Sequence, residues 1–252
     1  MKPKTIAFFF SFGTELRYLQ DANQTYQIHG KDHVLEVIKR FFERLDFYNL
    51  STTKKTKGFS DLKKFFEQME KKDSNSKLSP EEAKKLRDTI LKIRETLNAE
   101  SKNKFAYIVE DKRIDIEKLL NNVSGLFAKD IYDSIPEIAK YDFTEAGRCI
   151  AFEVPTAAAF HILRGTESVL RQYYCSIVKK NRCSPLLWGK MINGLELRKR
   201  NRPSKTLLDN LKNIKDNFRN PTDHPEKRYD IDEVQDLFPL CIDVVNRMNK
   251  KH

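Results

Sequence analysis

The sequence predicts a mostly α protein: a helical bundle behind an N-terminal, mainly helical extension with room for one small β element. Three observations carry that expectation. Apolar residues recur at three- and four-residue spacing in several long stretches, and two of those stretches open on capping-box signatures. The 252 residues include 33% charged side chains but only 8 Gly and 9 Pro, the composition of a charge-rich helical protein rather than a disordered or fibrous one.

The first apolar run, Thr5 to Phe10, is too short for a signal peptide and is interrupted by Ser11, Gly13 and Glu15, so it reads as a buried strand or short helix. From His33 to Phe47, Val34, Val37, Ile38, Phe41 and Leu45 fall on one helical face. Residues 51–78 turn polar and lysine-rich, and Lys71-Lys72-Asp73-Ser74-Asn75-Ser76-Lys77 reads as a mobile connection. A boundary is expected there, between an N-terminal region of unassigned role (1–78) and a helical domain (79–252) whose core spans 142–252.

Ser79-Pro80-Glu81-Glu82 starts a helix: Ser79 can cap free amides, Pro80 suits the first turn and Glu82 completes the box. Leu86, Ile90, Ile93 and Leu97 then form one stripe. Lys104 to Val109 is β-branched and aromatic, and with the turn Glu110-Asp111-Lys112-Arg113 it suggests a small hairpin. Helical pattern returns from Ile116, and Pro155 introduces a long helix from Thr156 to about Lys179 with Phe160, Leu163, Leu170, Tyr174 and Ile177 inward. Trp188 opens a shorter one and is assigned to packing. Leu207, Leu211, Ile214 and Phe218 make one closing stripe; Val234, Leu237, Phe238, Cys241, Val245 and Met248 make the other. Asp230 and Glu233 mark the start of the last helix, and Pro239 should kink it or displace that start.

Lys plus Arg number 47 against 36 Asp plus Glu, a net +11 that favours polyanionic partners. Eight of the lysines, from Lys54 to Lys77, suit a solvated face or linker as readily as a binding surface. Cys149, Cys175, Cys183 and Cys241 lie far apart without zinc-finger spacing and read as reduced, mostly buried thiols. No stretch approaches the roughly 20 apolar residues a membrane helix needs. The expectation is a cytoplasmic protein with no membrane contact and no cofactor. Phosphate-binding glycine loops, the His-Glu-x-x-His zinc signature and the Gly-x-Ser-x-Gly elbow are all missing, which disfavours nucleotide hydrolysis and metalloprotease chemistry.

The segment Arg219-Asn220-Pro221-Thr222-Asp223-His224 joins the two closing helices. In an unbroken helix Arg219 and His224 would stand about 140° apart around the axis and share no face. Pro221 removes a donor and disfavours α geometry at Asn220, and Pro225 does the same to His224, so the chain is expected to leave its helical path and let the two side chains converge. The residue types suit RNA cleavage without a metal. Histidine exchanges protons near neutral pH, and arginine offers a fixed fork of donors to a phosphate. Asn220 can orient the phosphate or the histidine, and Asp223 the histidine. The plain alternative is a basic helix end followed by a proline-bounded loop.

Further resemblance gathers around that segment. Asp142-Phe143-Thr144-Glu145-Ala146-Gly147-Arg148-Cys149, Pro155-Thr156-Ala157-Ala158-Ala159-Phe160-His161-Ile162-Leu163-Arg164-Gly165-Thr166-Glu167, Trp188-Gly189-Lys190 and Phe218-Arg219-Asn220-Pro221-Thr222-Asp223-His224-Pro225 occur in that order. From about Ser79 onward the chain resembles an uncharacterised prokaryotic group of the higher eukaryote and prokaryote nucleotide-binding (HEPN) family. The resemblance implies a HEPN-like helical bundle whose active-site motif is Arg219, Asn220 and His224. It implies a homodimer with two motifs facing one groove, and ribonuclease activity in toxin–antitoxin, abortive-infection or other phage-defence systems, with an antitoxin or defence-complex partner. Products would carry 2′,3′-cyclic phosphate and 5′-hydroxyl ends. Members that have lost catalysis supply the alternative, a non-catalytic interaction module that binds RNA or nucleotide. One toxin subgroup places Tyr two positions after the His; Glu226 stands there in this chain, and the nearest Tyr is Tyr229.

Supporting positions follow from spacing. His161, Arg164 and Glu167 can share a helix face; Arg164 and Glu167 either line the groove, holding Arg219 or RNA, or form a surface pair with His161 packed beneath. Arg198, Lys199, Arg200 and Arg202 can supply phosphate contacts along an RNA path or sit in a solvated loop.

Overall fold

The computed structural model describes residues 6–178, 187–222 and 227–250. The chain is mostly α and divides into two compact units, 1–107 and 108–252. The division differs from the expected one at 78/79, because the helix that starts at Pro80 packs backward. Its stripe of Leu86, Ile90, Ile93 and Leu97 is buried in one cluster with Leu19, Ile38, Phe41, Leu62 and Phe65.

The first unit holds α1 (Ile6–Gln20), α2 (Val34–Phe47), the single turn α3 (Ser51–Lys54), α4 (Lys57–Glu70) and α5 (Pro80–Ser101). The apolar start is helical, but only Glu15 and Leu19 of α1 are buried, so its first turns are not the buried element expected. Glu15 is offset by Arg40 and Arg44 of α2, at 3.3 and 3.4 Å. The lysine-rich stretch is not a linker. Gly58, Phe59, Leu62, Phe65 and Met69 give α4 a buried face, and Lys63 and Lys64 lie on its exposed side. The connection after it is tied down as well: the Ile28 amide donates to the Ser76 carbonyl and the Leu78 amide to that of Tyr26, both at 3.0 Å. The Ser79–Glu82 capping box forms as its spacing predicts. At the other end of α5, Glu100 accepts the Thr52 and Thr53 amides and so caps α3.

Among the described residues the only β pairing is an isolated bridge between Gln27 and Lys77. The hairpin expected from Lys104 to Ile114 does not form: Phe105, Tyr107 and Ile108 are exposed, with no strand to pair against.

The second unit is a helical bundle of α6 (Ile116–Asn121), α7 (Ile131–Ser134), α8 (Glu137–Ala151), α9 (Pro155–Val178), α10 (Trp188–Glu196), α11 (Lys205–Ile214), α12 (Asn220–Thr222) and α13 (Ile231–Asn249). A short 3₁₀ turn, Val123–Leu126, separates α6 from α7. α8 and α9 form an antiparallel hairpin through three residues, with α13 against α9. Trp188, Phe143 and Phe238 lie at the centre of the core, and the Phe143 and Phe238 rings stack at 6.3 Å. α13 begins at its predicted Asp230–Glu233 box, and Pro239 lies inside it without displacing that start. Of the residues expected inward on α9, Leu163 and Leu170 are buried, Tyr174 and Ile177 pack partly, and Phe160 faces out; Ala158, Ala159 and Ile162 take the inward positions instead. Among the described residues no helix is long and apolar enough to cross a membrane.

Candidate functional site

α11 delivers Arg219. Ser204 caps it through the Leu207 amide, and Leu207, Leu208, Leu211 and Ile214 anchor it in the core. From Lys215 to Arg219 the helix widens into a π turn, in which the Asn220 amide donates to the Lys215 carbonyl five residues back. Such one-turn widenings are frequent at functional sites. Asn220 keeps right-handed helical angles (φ −62°, ψ −48°), and the helix runs on to Thr222. The expected break at Asn220 is therefore corrected. The extra residue of a π turn changes which carbonyl the Pro221 ring faces, and the helix continues through the proline to Thr222. Arg219 is half-buried and Asn220 exposed.

Two hydroxyls meet the backbone just before Arg219. The Phe218 carbonyl accepts from Thr222 Oγ1 at 2.6 Å and from the Tyr229 phenol at 2.9 Å, and the two hydroxyl oxygens are 2.7 Å apart. Tyr229 is buried, and its amide donates to Thr156 Oγ1 in the first turn of α9. Burial pushes its phenol pKa up, against the pull of the Thr222 bond and Lys227. The Tyr229 hydroxyl is thus a fixed donor and anchor. Asp223 and His224 lie outside the described residues, between these two anchors.

A second group stands on the α8–α9 hairpin. Asp142 occupies an inward position of α8, in line with Ala139, Phe143 and Ala146, and is fully buried. Its Oδ2 accepts Arg164 Nε at 2.8 Å, and its Oδ1 accepts both Arg164 Nη2 and His161 Nδ1, the latter at 2.9 Å. An ionised carboxylate only accepts, so the Nδ1 proton is on the histidine and Nε2 is the outward atom. Bonding to Asp142 raises the Arg164 pKa further. Gly165 permits the approach: a Cβ there would lie 3.2 Å from the Asp142 Cβ and 3.4 Å from the Phe143 ring.

Glu167 does not share that group. Its carboxylate accepts the Trp188 indole N–H at 2.9 Å and pairs with Arg171, fixing the buried tryptophan in the packing role its size suggested. Arg198 donates to the Ile177 carbonyl at 3.3 Å near the end of α9, whereas Lys199, Arg200 and Arg202 are exposed. Cys149 and Cys241 are free thiols. Cys175 is disulfide-bonded, which corrects the expectation of four reduced cysteines; Cys183 lies outside the described residues. Among the described residues no group of three or more His, Cys, Asp or Glu is arranged to hold a metal ion.

No known family decides the matter. No family model, no curated protein and no solved structure matches the chain. The site is therefore defined by its own geometry, and that geometry includes one residue the sequence reasoning passed over. Asp142 was legible only as a carboxylate on the apolar face of α8, a position that demands a partner.

Proposed function

We propose that the chain is a metal-independent endoribonuclease of a toxin or phage-defence type, working as a homodimer on RNA, with Arg219, Asn220 and His224 as its centre. The observation that carries the reading is the construction around Arg219. A π turn ends on it, and the Thr222 and Tyr229 hydroxyls, 2.7 Å apart, join the chain on either side of the six residues that include His224. Fixed anchors on both sides of a catalytic residue suit a group that must meet a phosphate in one orientation.

In this reading a ribose 2′-oxygen attacks the adjacent phosphorus, the O2′–P bond forms and the P–O5′ bond breaks. His224 takes the 2′-hydroxyl proton or delivers one to the leaving 5′-oxygen, and Arg219 offsets the charge that builds on the phosphate. Asn220, exposed beside Arg219, orients the phosphate. Replacing His224 with Ala should lower cutting in EDTA by about 10²–10⁴-fold and abolish cyclic-phosphate ends. Equal cutting by parent and variant removes His224 from the mechanism.

The second reading is a non-catalytic RNA-binding module within a defence complex. It is favoured by the outward Arg164 guanidinium and exposed aromatic rings of the α8–α9 hairpin, and it predicts binding that is steep in salt without strand cleavage. An antitoxin or complex partner belongs to either reading.

A further inference from the structure

We propose that the outer face of the α8–α9 hairpin binds single-stranded RNA, with Arg164 donating to phosphate, His161 Nε2 accepting from a ribose hydroxyl, and Tyr141 and Phe160 stacking on bases. The choice of RNA rests on the functional reading above; the site itself does not.

A fully buried carboxylate between two helices is costly unless it is paired, and Asp142 is paired only with groups that continue outward. Arg164 commits Nε and Nη2 to it, while its side chain remains 58% exposed and the other edge of its fork is turned away from the carboxylate. His161 commits Nδ1, and its side chain is 26% exposed; among the described residues Nε2 has no hydrogen-bond partner. Asp142 therefore holds one guanidinium donor and one imidazole acceptor, Nε2, in fixed positions at the surface, as a carboxylate does beneath a functional histidine. A preorganised guanidinium fork suits a phosphate, and an acceptor beside it suits the hydroxyl of the adjoining ribose.

The rim decides which phosphate ligand. Tyr141 and Phe160 are 55% and 53% exposed. The Tyr141 ring lies edge-on to that of His161 at 6.2 Å, and Phe160 stands one helical turn before Arg164 on the same face. A cationic donor for a backbone and, beside it, open ring faces for bases are the two parts of a single-strand platform. An acidic peptide would use the first and leave the second idle. The chain's net +11 favours the approach of a polyanion.

The test is fluorescence anisotropy with a labelled single-stranded oligoribonucleotide in EDTA, on the full chain carrying His224→Ala so that binding is read without cutting. Tyr141→Ala with Phe160→Ala removes only exposed rings and should weaken Kd by about tenfold or more while the melting temperature holds. Arg164→Lys keeps the charge but loses the fork, and should also weaken binding. Parental Kd in both variants overturns the proposal. So does displacement of the RNA by polyglutamate as readily as by unlabelled single strand, which would reduce the face to a bare positive charge. Cleavage is scored separately on the parent and His224→Ala chains. If His224→Ala still cuts, the Arg219–His224 assignment falls while a Kd loss in the ring variant keeps this face; if only cleavage responds, the reverse holds.

Discussion

Replacing Asp142 with Asn keeps the side chain's shape and removes its charge, so it isolates what the buried carboxylate does. The native group accepts three donors, at 2.8 Å from Arg164 Nε, at 2.9 Å from His161 Nδ1 and from Arg164 Nη2. An amide offers one acceptor and turns an N–H₂ toward a donor, so at best one side of the pairing survives. Hydrogen bonds to charged groups contribute about 1.5–3 kcal/mol each, which sets a ceiling near 6 kcal/mol for two. Two effects lower it: the Arg164 head is 58% exposed and can turn into water, and a neutral group relieves the cost of a buried charge. The expected loss is about 2–3 kcal/mol. Trp188 is the single tryptophan, is buried in the second unit and is bonded to Glu167 one turn from Arg164, so its fluorescence reports the unfolding of that unit alone. With a urea slope of about 1.5–2 kcal/mol per molar, the midpoint should fall by about 1–2 M. A shift under about 0.3 M would show that the carboxylate holds nothing, and the positioning argument for His161 and Arg164 would go with it.

Gly147→Ala should destabilise the same unit, because a Cβ would sit 2.5 Å from the Leu119 carbonyl oxygen and 2.8 Å from a Val123 methyl. Overpacking of about 1–3 kcal/mol then exceeds the ~1 kcal/mol of helix propensity that Ala returns, and a Trp188 melt checks the sign. Tyr229→Phe removes the phenol from the Phe218 carbonyl and Thr222, at about 1–2 kcal/mol of stability. If the chain cuts RNA, the rate should drop only a few-fold, whereas a loss above about 100-fold would make Tyr229 a proton donor instead of an anchor. Burial pushes the Cys241 thiol up to about 12, so native protein at pH 8 should leave Cys241 unlabelled by thiol reagents until denaturant is added. Because the folded value is the raised one, the associated stability is complete below the ordinary thiol value and is lost as pH climbs toward about 12. Labelling at native rates comparable to a free thiol would contradict that burial.

The fold was legible where one face of a helix is apolar and its start is chemically marked. α5 and α13 begin on the capping boxes their spacing indicates, and the stripe of α2 is the buried face. α4 was hidden by composition: eight lysines from Lys54 to Lys77 drew the eye from Phe59, Leu62, Phe65 and Met69, whose three- and four-residue spacing was present all along. The predicted hairpin failed for a different reason. β-branched and aromatic residues show a strand's preference, but Lys104 to Ile108 meets no partner strand, and preference alone does not pay for ordering. The domain boundary failed because polar sequence marks a surface, not a division; the Lys71–Lys77 stretch is a connection pinned to residues 26–28, and α5 completes the first core.

The two halves of the site differ in the same way. Proline chemistry at Asn220-Pro221 argues locally for a break, yet the helix survives, since a π turn changes the bonding register upstream and the Tyr229 hydroxyl bonds the Phe218 carbonyl. Tyr229 stands only eight residues beyond Pro221, but nothing in that stretch shows that its hydroxyl turns back onto Phe218. Asp142 was closer to legible, for an ionisable residue three after Ala139 and four before Ala146 has to be answered from another element, and the helix opposite offers His161 and Arg164 one turn apart. What the sequence could not decide was which way the obligation ran. The pairing makes the carboxylate the buried member and leaves the histidine and arginine at the surface. A structural pin would be as stable with its partners covered; these two are held and left open, and that asymmetry is what makes the hairpin face a place to look for a ligand.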